Sequence, residues 1–217
     1  MGDVIDLRAR RAARNARLRL RHRVLQAEFF VDLACPFTYL VAERVERAFH
    51  RVRWTPASTT ALRCGSLASS EEELERLRAA AEARAAALRL PLEWPERFPD
   101  DVPAAMRVAA YAAERGRGAE FVLAAGRLAF CGGFDLDDPE ILAEAAAAAG
   151  LGLRESLHAA GDAGGDGKIE AAGRHLLAVG ADRLPALSVG RSLVWGERRV
   201  ADAAAAARMR GASSARI

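Results

Sequence analysis

Lysine is all but missing from this 217-residue chain: Lys168 stands alone among 32 basic residues. The arginine bias accompanies a wealth of alanine and reads as genome composition rather than selection for guanidinium chemistry. Cysteine is scarce as well. Cys35, Cys64 and Cys131 are odd in number, widely spaced and fit no zinc pattern, so reduced thiols in the cytoplasm are expected and a metal site is not. Long apolar runs are absent, because charges interrupt every alanine stretch short of the ~18 residues that a membrane span needs. The N-terminus is basic but has no apolar core segment or small-residue cleavage site behind it, so no secretory signal is expected.

Basic charge is missing from most of the chain too. Residues 1–23 hold eight arginines against Asp3 and Asp6, a local +6, which leaves −3 for the rest of a chain whose net charge is +3. A reader of nucleic acid would carry its basic surface on the folded body, so nucleic acid is not an expected partner. The arginine-rich arm has two readings: contact with nucleic acid or an anionic membrane, and a solvated, frayed terminus. His22, His50, His158 and His175 are scattered, and none stands at a recognisable spacing from Cys35. The glycine-rich stretch Gly161–Ile169 lacks the spacing, the preceding strand and the Ser or Thr after Lys168 that a phosphate loop requires.

What the chain does have begins at Phe29–Leu33, a short aromatic and β-branched run that reads as a buried strand. It ends on Ala34-Cys35-Pro36, after which Phe37, Leu40, Val41, Val45 and Phe49 repeat at helical steps. Pro36 suits the first helical position, where its missing N–H costs nothing. Cys35 then lies at the positive end of the helix, and two readings compete for it. One is a thiolate stabilised by the helix N-terminus, with Thr38 one turn on as a hydrogen-bond donor. The other is a small buried hydrophobe. On the first, the dipole is worth at most about 2 kcal/mol, which places the pKa between about 6 and 8 and makes Cys35 the fastest of the three thiols to alkylate.

Arg51–Ala57 reads as a second strand closed by Pro56, giving a βαβ unit. Helical periodicity then takes over. A Ser70-x-x-Glu73 capping box opens one helix, which Pro91 stops near Leu90. Helices follow over about Pro103–Gly116 and Ala119–Phe130, then from a cap at Asp138 to Gly150, and over Leu153–Ala160 and Gly167–Val179. Cys131, Trp54 and Trp94 read as packing residues. Strand signals return at Leu184–Gly196, a hairpin turning at Gly190-Arg191, and a last helix covers about Val200–Arg208. A helical block between two halves of one small sheet reads as an insertion, and the fold class as α/β.

Strand-Cys-Pro-helix at one end and Leu184-Pro185 opening a strand at the other resemble the thioredoxin superfamily. The ordered segments "FFVDLACPFTYL", "WPERFPDDVPAAMRVAAYAAERG", "FDLDDPEILAEAAAAAGL", the lone Lys168 and "LPALSVGRSLVWGERRV" look like its DsbA-like branch of 2-hydroxychromene-2-carboxylate isomerases and kappa-class glutathione transferases. The resemblance implies a thioredoxin-like domain from residues 24–65 and 166–210, a helical insertion over 66–165 and the arginine-rich extension 1–23 outside both. It implies a cis Leu184–Pro185 bond against Cys35, with Cys35 as the reactive or thiol-anchoring group and Pro36 and Thr38 shaping its surroundings. Leu184 would offer its backbone to a thiol peptide, and Trp195-Gly196-Glu197-Arg198 would form the far rim. The implied cofactor is glutathione or another low-molecular-weight thiol. The implied partners are that thiol, an apolar or aromatic substrate under a helical lid, and a second copy of the chain in a homodimer. The implied activities are a single-cysteine thiol oxidoreductase or glutathione transferase, a thiol-assisted isomerase, and, as a different class, a non-catalytic binding domain.

Three departures bear on these. The isomerases and kappa-class enzymes usually have serine where this chain has Cys35, yet Cys35-Pro36-Phe37-Thr38 lacks the second cysteine of a C-x-x-C pair, so dithiol oxidation would need Cys64 to reach the site. Glu197-Arg198 replaces the family's Ser-Asp or Gln-Asp, and a cation cannot accept a ligand's ammonium. Pro99-Asp100-Asp101-Val102 replaces Pro-x-Asn-Thr.

Overall fold

The computed structural model describes residues 27–49, 51–63 and 67–214 of the protein; the arginine-rich arm, Cys64, His22 and His50 lie outside them. Its sheet has four strands, β1 (Ala27–Val31), β2 (Val52–Pro56), β3 (Ala186–Val189) and β4 (Ser192–Trp195), in the order β2-β1-β3-β4. β1 pairs parallel with β2 and antiparallel with β3, and β3 with β4. A central strand covered on both faces must be apolar on both, which is why Phe29, Phe30 and Val31 are all buried in sequence.

Helices follow in the order α1 (Pro36–Ala48), α2 (Thr59–Arg63), α3 (Glu71–Leu88), α4 (Pro103–Glu114), α5 (Gly118–Gly132), α6 (Pro139–Ala148), α7 (Leu153–Gly161), α8 (Asp166–Ala178) and α9 (Glu197–Ser214), with a 3₁₀ turn at Ala163–Gly165. The chain therefore has a thioredoxin-like fold whose sheet draws strands from both ends of the sequence, with a helical insertion between them. One apolar cluster joins the two parts. Phe29, Val31, Trp54 and Leu187 of the sheet run continuously into Val108, Phe121 and Phe130 of the helices, and Phe29 meets Trp54 edge-on at 5.0 Å. On the sheet's other face a smaller cluster of Phe30, Leu62, Leu176 and Leu184 packs under α2 and α8.

The helix ends follow from local chemistry. Ser70 Oγ accepts the Glu73 N–H at 3.1 Å, while Glu73 Oε2 takes the Ser69 N–H at 2.9 Å, one residue earlier than a strict capping box. α3 stops at Leu88 rather than Leu90 because Arg89 turns left-handed (φ 55°), with Leu90 N–H bonded to Ala85 O. Gly150 (φ 70°) closes α6 in the same way, its N–H on Ala147 O and that of Leu151 on Ala146 O. α9 begins at Glu197, three residues earlier than periodicity indicated.

Gly173 is where α8 touches the turn after β2. A Cβ there would lie 2.5 Å from Ser58 O and 3.1 Å from Ala61 Cβ. Ala is ordinarily the better helix former by about 1 kcal/mol. Here Gly173→Ala must push the helix off the backbone of the turn at a cost of about 1–3 kcal/mol, so thermal unfolding should show no gain and a net loss of up to about 2 kcal/mol.

Candidate functional site

β1 delivers the chain to the turn Asp32–Cys35, and Pro36 opens α1 with Cys35 as its N-cap residue in extended conformation (φ −89°, ψ 114°). The Cys35 N–H bonds Asp32 O at 3.2 Å, and the Thr38 N–H bonds Cys35 O at 3.0 Å. Cys35 Sγ lies 3.7 Å from the carbonyl oxygen of Leu184, 149 residues away in sequence, and is placed to donate its proton there. The Leu184–Pro185 bond is cis, as is Phe98–Pro99. Pro36, Thr38, Leu184 and Pro185 are all buried around the sulfur's segment.

Cys35 itself is only 2% exposed, and this overturns the expectation of an open thiol with a depressed pKa. Desolvation, followed by the charge of Asp32, pushes the thiol up to about 12. The amides of Thr38 and Phe37 and the Thr38 hydroxyl pull the other way and are outweighed. The helix end does act on the sulfur as the sequence implied, but burial is the larger effect.

Asp32 is a site residue that the sequence reading passed over. Its carboxylate accepts the Ala34 N–H on Oδ1 (2.9 Å) and the Thr59 N–H on Oδ2 (2.8 Å), tying the turn after β1 to the start of α2. Its own N–H reaches Thr38 Oγ1 at 3.4 Å. Burial raises its pKa above the usual carboxylate range despite those amides. The available signal was an acid at the end of an apolar strand, since such a group is buried only with partners. Next to it the Leu33 N–H points at Met106 Sδ (3.4 Å).

Two clefts open on this turn. The first, about 380 Å³ counted to its open mouth, has an apolar lining that includes Leu33, Ala34, Phe98, Phe130 and Leu136, and Arg97, Asp100, Asp101, Asp135 and Asp137 around it. The second, about 540 Å³ on the same basis, is lined by Asp32, Ser58, Asp101, Met106, Asp166 and Glu170 among others. Asp101 and Val102 border both.

The expected far rim is rearranged. Glu197 is buried, with Arg84 Nε at 2.6 Å and Nη2 at 2.9 Å in a two-pronged pair and Arg44 at 3.5 Å. It is therefore taken up in locking α9 to α3 and α1 and cannot serve a ligand. Arg198 is exposed and Trp195 half-buried, with the Arg199 guanidinium 5.7 Å from the Trp195 ring. Cys131, read as packing, is half-buried, and its sulfur lies 2.9 Å from the Tyr39 hydroxyl, which also reaches Pro91 O at 2.8 Å. Among the described residues no cluster could hold a metal ion, and no helix is long and apolar enough to cross a membrane.

Residues 26–207 match the family model of the DSBA-like thioredoxin domain. The chain belongs to that family. This DSBA-like domain is similar to a solved 2-hydroxychromene-2-carboxylate isomerase (TM-score 0.72, 16% identity, 87% of this chain and 97% of that one). It is also similar to a probable DsbA oxidoreductase from Streptomyces coelicolor (0.63, 23%, 84% and 89%). A third likeness is to a cytosolic disulfide reductase from Pseudomonas aeruginosa solved with GSH (0.61, 17%, 89% and 100%). At these identities each likeness shows a shared fold. Comparison with curated proteins gives no match.

With its pKa near 12, only about one Cys35 in 10⁵ is ionised at pH 7. In the native protein iodoacetamide should therefore modify half-buried Cys131 before Cys35, reversing the order expected from sequence. The Cys35 rate should climb with pH without levelling off below about pH 10. A plateau near neutrality, read by peptide mass spectrometry, would contradict the buried geometry.

Proposed function

We propose that this DSBA-like domain is a cytoplasmic single-cysteine thiol–disulfide exchange enzyme that works with glutathione or another small thiol. The observation that carries this reading is the meeting of Cys35 Sγ with Leu184 O beside the cis bond, at the N-terminus of α1. In the resting state the S–H is held by that carbonyl and shielded from oxidants. An extended substrate that donated its own N–H to Leu184 O would free the sulfur and bring a disulfide beside it. Pro36 and Pro185 would bound the sulfur, and Thr38 would donate to the thiolate as it forms.

The Cys35 thiolate attacks one sulfur of a disulfide R–S–S–R′. That bond breaks, Cys35–S–S–R forms, and R′–S⁻ leaves and takes up the proton that Cys35 lost. A thiolate of the small thiol then attacks the R sulfur, making a new disulfide and regenerating Cys35. One half of a disulfide has moved between thiols with no net redox change, and no second cysteine is needed. The solved disulfide reductase with GSH supports a small thiol in this role.

A second reading, a non-catalytic binding domain, is favoured by the 2% exposure of Cys35 and its raised pKa. Hydroxyethyl disulfide separates the two. Intact-protein and peptide mass spectrometry at pH 8 should find an adduct on Cys35 that glutathione removes and that Cys35→Ser lacks. Adducts confined to the other cysteines would select the binding domain.

A further inference from the structure

The chain has three methionines, and one of them holds the turn that carries Cys35. Met106 lies early in α4, its N–H on Val102 O at 3.0 Å. Its sulfur meets the backbone N–H of Leu33, two residues before Cys35, at 3.4 Å. Among the described residues no other acceptor meets that N–H. A thioether is a weak acceptor, so sulfur is an unusual partner for a buried amide. The turn from Asp32 to Cys35 therefore rests on α4 through a sulfur atom. Met106 is only 6% exposed, yet it lines the second cleft beside Asp32 and Ser58, where there is room for several water-sized molecules. Met209, 67% exposed on α9, makes no such contact.

We propose that Met106 is an oxidation site through which peroxides switch the Cys35 turn from closed to open. One peroxide oxygen passes to Sδ: the O–O bond breaks, an S–O bond forms and water leaves. The thioether loses two electrons and the peroxide gains them. The resulting sulfoxide is polar, and neither placement of its oxygen fits the resting structure. An N–H···O contact alone takes about 2.9 Å, so an oxygen between Met106 and Leu33 must widen their 3.4 Å separation. An oxygen on the sulfur's other lone pair puts a polar group into the apolar cluster that holds Leu33 and Cys35, and draws the side chain out toward the cleft. Either way the turn leaves its resting place on α4, and the contact of Cys35 Sγ with Leu184 O loosens. Water then reaches a thiol that desolvation had kept protonated. The switch regulates the exchange site proposed above and rests on that reading for its use, not for the opening itself.

Peroxide at pH 5 separates the sulfurs, because thiols are then protonated and slow to oxidise while a thioether has no proton to lose. The full-length protein is treated in this way, reduced with dithiothreitol to restore any oxidised thiol, and alkylated with iodoacetamide at pH 8. Peptide mass spectrometry follows each methionine and cysteine. Met209 should convert first and Met106 after it. With Met106 converted, Cys35 should alkylate at least about tenfold faster, the effect of one pKa unit, and Cys131 less than about twofold faster. Met106→Leu, close in volume and without sulfur, should give a slow Cys35 that peroxide leaves unchanged. Met106→Gln, which puts a carbonyl acceptor on a chain of similar length, should give the fast rate without peroxide. The proposal is overturned by a Met106 untouched when Met209 is fully converted, or by a converted Met106 with Cys35 unchanged. An equal rise at Cys131, the same rise in Met106→Leu, or a slow Cys35 in Met106→Gln would also overturn it. Hydroxyethyl disulfide keeps the two readings apart: an opened Cys35 that alkylates but forms no adduct sinks the exchange reading and leaves the switch standing.

Discussion

Burying Asp32 fixes the geometry on which the candidate site rests. A carboxylate taken out of water is tolerable only when its oxygens find donors, and here the donors come from two separate turns: Ala34 on its own and Thr59 after β2. The group therefore staples together the C-terminal ends of the two parallel strands. Its backbone N–H meanwhile engages Thr38 in the first turn of α1. Once strand ends and helix start are locked, the Cys35 sulfur can only point across β1 toward β3. There the chain before Ala186 presents Leu184 O.

The same staple sets the chemistry of the sulfur. A helix N-terminus contributes up to about 2 kcal/mol, whereas desolvation of a fully enclosed group can move a pKa by about 3–5 units, or more than 4 kcal/mol. Asp32 adds repulsion of like sign. The dipole thus loses by its size, not through misplacement, since Cys35 is the N-cap of α1 and the amides of Phe37 and Thr38 do face it. A thiol held in this way is protected at rest. To act as a nucleophile it would need another group to take over the Leu184 carbonyl and admit solvent.

Much of this was legible in the residues. The aromatic run ending at Cys35-Pro36, the Ser70 and Asp138 caps and the glycine at 150 each carry a local signal with one physical meaning, and the elements appear where those signals stand. The cis bond came from the resemblance, because proline opening a strand is tolerated whatever its isomer. Burial of Cys35 was one of its two local readings, and the sequence could not decide between them, since the outcome depends on how closely the helical block settles over β1, a sum over long-range contacts. The fate of Glu197 was not legible. A Trp-Gly-Glu-Arg sequence reads as a turn with an exposed acid, and only the approach of Arg84, 113 residues away, turns that acid inward.

Glu197 also shows how one long-range contact fixes the role of a side chain. A carboxylate 3% exposed and gripped by two arginines contributes to holding α9 against α3 and α1, and removing Arg84, its close two-pronged partner, would leave the buried charge with only the longer contact to Arg44. Near Asp100-Asp101 the acids are met differently: Asp101 takes the Thr60 hydroxyl and Asp135 the Arg97 N–H, both neutral donors that leave the carboxylates toward solvent.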